Sequence, residues 1–128
     1  MFSETTRSIK VTVLPSYLPG QSSPAERHFA WAYRIRIENL GKETVQLQSR
    51  HWRIMDAVGR VQEVKGPGVV GENPVLQPGE SFEYQSGVPL DTPSGIMAGT
   101  YRMQNAAGEQ FDVQIPAFSL DSPYQVRH

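Results

Sequence analysis

Residues 29–37 read Phe-Ala-Trp-Ala-Tyr-Arg-Ile-Arg-Ile, and this stretch decides the fold class. Large apolar side chains stand at every odd position from Phe29 to Ile37, whereas Arg34 and Arg36 stand at even positions. A period of two puts the apolar residues on one face of a β-strand, because side chains alternate between the two faces of a sheet. The stretch therefore predicts a long strand with one buried face.

Shorter stretches with the same alternation lie on both sides of this strand. Residues 9–13 read Ile-Lys-Val-Thr-Val and residues 111–115 read Phe-Asp-Val-Gln-Ile, and turns that contain glycine or proline separate such runs. No window repeats apolar residues at helical spacing. We count about seven strands joined by hairpins and two longer loops. This pattern predicts an all-β, two-sheet antiparallel sandwich of the immunoglobulin or fibronectin type III kind.

The strand that contains Trp52 needs one irregularity. Apolar residues stand at odd positions up to Leu47 and at even positions from Trp52 onward. One extra residue reverses the parity while the strand continues, so we predict a β-bulge near Ser49 and Arg50. Residues 56–60 then predict a hairpin turn with its glycine in a left-handed conformation.

Length and composition exclude several classes of protein. We expect one domain over residues 1–128, with mobile ends at about 1–6 and 121–128. The absence of cysteine excludes disulfides, zinc–cysteine sites and thiol catalysis. The start lacks a signal-type apolar run, which predicts a cytoplasmic protein, and no stretch approaches the roughly 18 apolar residues of a membrane helix. The net charge of -1 argues against a nucleic-acid partner.

Residues 66–71, Gly-Pro-Gly-Val-Val-Gly, fit the G-x-G-x-x-G motif. In dinucleotide-binding folds a helix follows this motif, but the prolines that come next leave no room for one here. Three interpretations remain open for Gly66, Gly68 and Gly71. They serve loop geometry, or they form a surface for a protein partner, or they shape a nest of backbone N–H groups that binds phosphate with the charge of Lys65.

The segment Arg50-His51-Trp52-Arg53 is the second candidate. In a strand, Arg50 and Trp52 share one face, while His51 and Arg53 share the other. We expect Trp52 in the core, because large aromatics dominate small sandwich cores, and the alternative is an exposed patch of Arg, His and Trp. For His51 and Arg53, an interaction role and a merely solvated face are equally open.

Catalysis and metal binding find no support in the sequence. The three histidines, His28, His51 and His128, are far apart and have no acidic neighbours at metal-ligand spacing. No serine lies in a G-x-S-x-G motif, and no pair of carboxylates stands out as a dyad. We therefore expect a protein that is not an enzyme, with no catalytic residue, no bound metal and no cofactor.

A longer set of residues, in loops as well as in strands, carries a resemblance. The set comprises Ser49-Arg50-His51-Trp52, Gly59-Arg60, Gly66 to Pro74, Leu76 to Glu80, Phe82-Glu83-Tyr84, Ser86-Gly87, Pro89 to Gly95, Gly99 and Tyr101. With it the chain resembles the bacterial ApaG family from about Ile9 to Phe118. One departure is Val88, where many relatives have cysteine, and valine fits a buried apolar position equally well.

The resemblance implies a fibronectin-III-like sandwich and an association with magnesium and cobalt homeostasis. It also implies a gene neighbourhood that includes diadenosine-tetraphosphate hydrolysis. Related domains occur in a eukaryotic F-box protein and in a DNA-polymerase-delta interacting protein, where they look like protein-recognition domains. The G-x-G-x-x-G glycines of the family match Gly66, Gly68 and Gly71.

We therefore expect a non-catalytic module that binds an unidentified protein partner and is indirectly linked to magnesium and cobalt homeostasis. The alternative is an accessory protein or sensor that binds pyrophosphate-containing nucleotides, such as ATP or a diadenosine polyphosphate, weakly through the Gly66–Gly71 loop. The oligomeric state stays open. The candidate binding residues are Gly66, Gly68, Gly71, Lys65, Arg50, His51 and Arg53.

Overall fold

The computed structural model describes residues 1–124 of the chain, and most of these residues lie in β-strands. Two short 3₁₀ turns, Pro19–Gln21 and Pro24–Glu26, stand between the second and third strands, and no helix among the described residues is long and apolar enough to span a membrane. The strands are β1 (Phe2–Thr6), β2 (Ile9–Tyr17), β3 (Phe29–Asn39), β4 (Val45–Asp56), β5 (Val61–Pro67), β6 (Val75–Leu76), β7 (Ser81–Leu90), β8 (Gly95–Asn105) and β9 (Gln110–Leu120).

The strands form two antiparallel sheets. One has the order β1-β2-β3-β7, and the other has the order β5-β4-β8-β9 with β6 beside one end of β4. The predicted all-β, two-sheet antiparallel sandwich is confirmed. The described residues contain nine strands instead of about seven, because β1 and the two-residue β6 lie in segments expected to be a chain end and a loop. The immunoglobulin or fibronectin type III assignment stays a prediction.

The alternation that decided the fold class is present in β3. Trp31, Ile35 and Ile37 are buried between the sheets, while Arg34 and Arg36 are exposed on the outer face. This strand pairs with β2 on one side and β7 on the other, so its central position gives it neighbours along its whole length. The largest fully buried side chains of the core are Trp31, Tyr101, Phe118, Ile9, Ile35, Ile37, Leu47, Met97, Met103 and Leu120.

Residues near both chain ends contact the core, and the mobility of the ends stays a prediction. Residues 2–6, expected to be mobile, pair with β2 because Phe2 packs its ring against Phe118, with 6.2 Å between the ring centroids. At the other end, the carbonyl oxygen of Asp121 accepts a hydrogen bond of 2.8 Å from Nε1 of Trp31, so residues just after β9 are held to the core. Residues 125–128 of that end lie outside the described residues.

The predicted irregularity in β4 is confirmed. The register of β4 against β8 shifts between Leu47 and Ser49, which is the expected β-bulge. Beyond the bulge the even positions, Trp52 and Ile54, point into the core. The predicted hairpin turn over residues 56–60 is also present, and its glycine has a φ of 88°.

The side chains of Asn39 and Asp56 each hold one turn together. Asn39 is buried; its Nδ2 donates to the carbonyl oxygens of Glu43 and Leu76, and its Oδ1 accepts from the Gly41 amide. In the 56–60 hairpin, Oδ1 of Asp56 accepts hydrogen bonds from two backbone amides of the turn. Burial alone raises the pKa of Asp56, but these amides and the Arg60 guanidinium outweigh it, so the pKa lies below 3.8, its ordinary value.

The two long sides of the sandwich are unequal. On one side, β1 and β2 pack against β9 and close the space between the sheets. On the other side, β5 and β7 are the edge strands of their sheets, and a cleft lies between them. The five-stranded sheet thus offers two surfaces for binding: its outer face, and its inner face where the cleft reaches it.

Candidate binding site

The glycine motif forms a tight turn after β5. Gly66 is still part of β5, whereas Gly68 and Gly71 have φ angles of 60° and 80°. Val69 and Glu72 exchange two backbone hydrogen bonds of 2.8 and 2.9 Å across the turn. As predicted, no helix follows the motif within the described residues, so a helix N-terminus does not take part in this loop.

Hydrogen bonds within the protein use most of the amides of this turn. The Gly68 amide donates to the carbonyl oxygen of Gln48 at 3.0 Å. The amides of Val69 and Glu72 each donate to the carbonyl oxygen of the other residue. Between Gly68 and Glu72, only the amides of Val70 and Gly71 are left for a ligand. The loop-geometry interpretation of the motif therefore has direct structural support, because a phosphate nest needs several convergent free amides.

Gly66 gives space to an arginine. The guanidinium of Arg50 lies over Gly66, and a Cβ placed there would stand 3.1 Å from both Nη atoms. Nη1 of Arg50 donates to the carbonyl oxygens of Pro67 at 3.0 Å and Gly68 at 2.9 Å. Arg50 thus adds a positive charge beside the motif to that of Lys65, and its side chain also fastens the turn to β4.

The faces predicted for residues 50–53 are those observed. Trp52 is 3% exposed and packs its ring edge-on to that of Tyr33, with 5.5 Å between the centroids, so the core interpretation of Trp52 is confirmed. Arg50 shares this inward face. His51 and Arg53 lie on the outer face, where Nε2 of His51 stands 3.0 Å from Oε1 of Glu63.

Four of the seven predicted residues, Arg50, His51, Lys65 and Gly66, line one groove at the outer face, although Arg50 belongs to the inward face and also lines the cleft between β5 and β7. His51 stands opposite Lys65 in β5 and opposite Thr100 in β8, and the groove has a volume of about 580 Å³. Arg53 lies one row further along the same face, while Gly68 and Gly71 do not line the groove. The lining residues are Ser49, Arg50, His51, Lys65, Gly66, Pro67, Thr100, Arg102 and Asp112.

Sequence reasoning missed an apolar row on the same face. Met55 stands opposite Val61 in β5 and opposite Ile96 in β8. The three side chains are 42%, 49% and 50% exposed, respectively, and Arg53 and Ala98 adjoin them. The signal was present as apolar residues at outward positions, but it becomes visible only when the register brings three strands together.

Arg50 has tyrosines as its inner neighbours. The hydroxyls of Tyr84 and Tyr101 are hydrogen-bonded to each other, and Tyr33 is a close neighbour of both. Burial raises the pKa of all three tyrosines, and the positive charge of Arg50 acts in the opposite direction. The hydroxyls therefore stay protonated at neutral pH and act as neutral hydrogen-bonding groups.

The sites described so far contain no cluster of metal ligands. Among residues 1–124, no group of three or more His, Cys, Asp or Glu side chains is placed to hold a metal ion. The exposed carboxylates near the groove are each engaged with a basic side chain: Glu63 with His51, and Asp112 with Arg102 at 2.7 Å. What this arrangement supplies chemically is positive charge, hydroxyls and apolar surface.

The fold and these surfaces define a class, the small β-sandwich domains built from two antiparallel sheets. The protein-family model of the ApaG domain matches residues 19–105 of this chain. The chain belongs to the ApaG family, as the resemblance predicted.

Relatives match the chain over almost its whole length. The ApaG protein of Rhodospirillum centenum is 68% identical over 124 residues, which are 97% of this chain and 95% of that protein. The ApaG protein of Paramagnetospirillum magneticum is 66% identical over 125 residues, or 98% of this chain and 96% of that protein. The crystal structure of the ApaA protein from Bordetella pertussis shares 47% identity with a TM-score of 0.87, covering 96% of this chain and 97% of that one.

Proposed function

We propose that this chain is a non-catalytic binding module that recognises a protein partner through the outer face of its five-stranded sheet. The observation that carries the proposal is the apolar row of Val61, Met55 and Ile96, exposed in register across three strands. Apolar side chains on an outer sheet face, rimmed by polar residues, are typical of interaction surfaces. We call Lys65, Arg53 and this row the outer surface.

Charge specifies the kind of partner. Among residues 1–124, neither Arg53 nor Lys65 forms an ion pair with a carboxylate, whereas the neighbouring His51 contacts Glu63. Arg53 adjoins the apolar row, Lys65 lies four residues from Val61 on the same face, and Glu63 stands between them. Two unpaired basic side chains on the face of an apolar row favour a partner that presents acidic and apolar side chains together. Arg and Met are also residue types enriched in protein interfaces.

The test begins with a photoreactive amino acid in place of Met55, used in cells of the source to identify the cross-linked partner. Calorimetry with that purified partner then compares the wild type with Arg53→Glu. We expect a loss of at least tenfold in affinity, because a rim charge is reversed against an acidic surface. Arg34→Glu is the matched control, since Arg34 is exposed on the other sheet.

Two outcomes would count against this proposal. One is a partner whose affinity falls equally with Arg34→Glu and Arg53→Glu, because non-specific charge would then explain the binding. The other is cross-linking at Met55 that yields only products also formed from a photoreactive group at Arg34. We also propose that the protein acts in the cytoplasm, and the compartment of the cross-linked partner tests this.

The proposed link to magnesium and cobalt homeostasis runs through the partner. Cobalt prefers clustered imidazole or sulfur ligands, and the chain has no cysteine. Among residues 1–124, no group of three or more His, Cys, Asp or Glu side chains is placed to hold an ion. The metal link is therefore an indirect one in this proposal.

A second candidate function is binding of a pyrophosphate-containing nucleotide. The observation that favours it is the convergence of His51, Lys65 and Arg102 with the Thr100 hydroxyl around one groove. Because the glycine turn uses most of its own amides, a phosphate here relies on these side chains. Amide shift titrations with ATP, a diadenosine polyphosphate and pyrophosphate, with and without Mg²⁺, test it: saturable shifts around the groove support it, and none at millimolar ligand excludes it.

A further inference from the structure

The cleft between β5 and β7 lies on the inner side of β4, away from the outer surface. It has a volume of about 230 Å³, and its floor is formed by Trp52, Ile54 and Met97 from the buried face of the five-stranded sheet. Val64 on β5 and Val88 on β7 form its walls. The floor and the two walls named here are therefore apolar, as in most small-molecule sites, while Gln62 adds a polar group on the β5 side.

One end of the cleft is polar and positively charged. Arg50, Tyr33 and Ser86 all line it, and Ser86 on β7 stands directly opposite Tyr33 on β3. Within residues 1–124, Arg50 forms no ion pair with a carboxylate, and only its Nη1 donates a hydrogen bond. Nη2 and Nε donate no hydrogen bond to these residues, and Arg50 lines both this cleft and the outer groove.

The chemistry of these donors selects the ligand. A partly buried guanidinium without a counter-charge is unfavourable unless an anion pairs with it. Its planar edge matches a carboxylate, which can accept two parallel hydrogen bonds, and a neutral tyrosine hydroxyl beside it can donate a third. The apolar floor then requires the rest of the ligand to be apolar, and the small volume restricts it to a few carbon atoms or one ring.

We propose that the β5/β7 cleft is a binding site for a small carboxylate with an apolar body, such as an aryl or short alkyl carboxylic acid. The carboxylate pairs with the free edge of Arg50 and contacts the hydroxyls of Tyr33 and Ser86. The apolar body lies against Trp52 and between the two valine walls. The site does not depend on the proposed partner surface, because the two lie on opposite faces of β4.

The test uses phenylacetate as the probe and its uncharged amide, phenylacetamide, as the matched control ligand. The two tryptophan indole N–H signals report binding by NMR, because Trp52 lies in the cleft while Nε1 of Trp31 bonds to Asp121 elsewhere. We expect phenylacetate to shift the Trp52 indole signal saturably with a Kd of about 1 mM, ordinary for a ligand of this size, and to leave Trp31 unchanged. Phenylacetamide should bind at least tenfold more weakly.

Two variants test the role of the arginine. Arg50→Gln should abolish the Trp52 shift, and Arg50→Lys should weaken binding, because an ammonium cannot pair with both carboxylate oxygens in one plane. Arg34→Gln, which changes an exposed arginine of the other sheet, should bind as the wild type does. If Arg50→Gln does not fold, Val64→Phe fills the cleft wall while leaving the guanidinium in place, and it too should abolish binding.

Several results would overturn the inference. Equal binding of phenylacetate and phenylacetamide would show that the guanidinium is not the recognition group. Undiminished binding to Arg50→Gln or to Val64→Phe would place the ligand elsewhere. The absence of saturable Trp52 shifts with phenylacetate and with hexanoate would exclude an apolar carboxylate, and shifts with inorganic phosphate alone would indicate a plain anion site.

Discussion

Replacing each glycine of the G-x-G-x-x-G turn by alanine distinguishes two reasons for glycine at these positions, backbone geometry and ligand binding. Gly71 has a φ of 80°, and a Cβ there meets nothing within 4 Å, so Gly71→Ala adds only the strain of a left-handed residue. This strain is about 1–2 kcal/mol. At Gly68 the φ of 60° adds the same strain, and the Cβ also collides with the carbonyl oxygen of Glu72. Forcing the backbone to move adds about 1–3 kcal/mol, so we expect Gly68→Ala to cost about 2–5 kcal/mol in total.

Gly66 differs from the other two, because its φ is not left-handed and the atoms that its Cβ would meet belong to the Arg50 guanidinium. That group can swing away, so Gly66→Ala should cost only the hydrogen bonds of Nη1, about 1 kcal/mol. Gly20 provides the control, because a Cβ there meets nothing within 4 Å and no left-handed φ is needed. Gly20→Ala should be neutral or stabilising by up to about 1 kcal/mol.

Urea unfolding followed by tryptophan fluorescence measures these differences, and about 4 °C of melting temperature accompanies each kcal/mol in a domain of this size. The expected order of destabilisation is Gly68→Ala first, then Gly71→Ala, then Gly66→Ala, with Gly20→Ala last. If Gly68→Ala and Gly71→Ala were both as stable as Gly20→Ala, geometry would not explain the motif. A ligand-binding role for these glycines would then regain its support.

Four further predictions concern stability. Asn39→Ala should lower the unfolding free energy by about 3 kcal/mol in urea titrations, because three backbone groups lose a buried partner; a loss below about 1 kcal/mol would contradict this. The pKa of the Asp56 carboxylate lies below 3.8, so the stability that this carboxylate adds to the folded state is present above that pH and is lost as the pH falls further. The urea midpoint of Asp56→Asn should therefore fall less between pH 6 and pH 2 than that of the wild type. Tyr84→Phe should cost about 1–2 kcal/mol by leaving the Tyr101 hydroxyl unpaired, and the double Phe variant should cost less than the sum of the single ones. Asn73→Asp should destabilise more than Asn73→Ala in thermal melts, because a carboxylate would face the two carbonyl oxygens to which Nδ2 donates; equal melting temperatures would refute that contact.

The fold was predictable because local periodicity and core burial agree. The alternation from Phe29 to Ile37 and the parity change before Trp52 both correspond to observed strands, since each depends only on which side chains face the core. The strand β1 was missed because Phe2 alone packs against the core, and one apolar residue makes no period. The strand β6 has two residues, too few for any alternation.

The candidate site was predictable only in part. The faces of Arg50 and His51 followed from alternation, but their neighbours depend on how β4 is aligned with β5 and β8. Lys65 joins His51 because the hairpin turn fixes that register. The apolar row and the β5/β7 cleft were not foreseeable, because each brings together residues that are distant in sequence and unremarkable one by one.

The bulge in β4, the glycine turn and Arg50 form one structural unit. The bulge turns the carbonyl oxygen of Gln48 toward the turn, where it accepts from the Gly68 amide and from Nδ2 of Asn73. Arg50, two residues further along, closes the other side of the turn through its Nη1. Because the same bulge reverses the parity of β4, it also directs Arg50 inward and Arg53 outward. A single extra residue thus both anchors the motif and separates the two proposed sites onto opposite faces, so a ligand in the cleft and a partner on the outer surface can bind without competing.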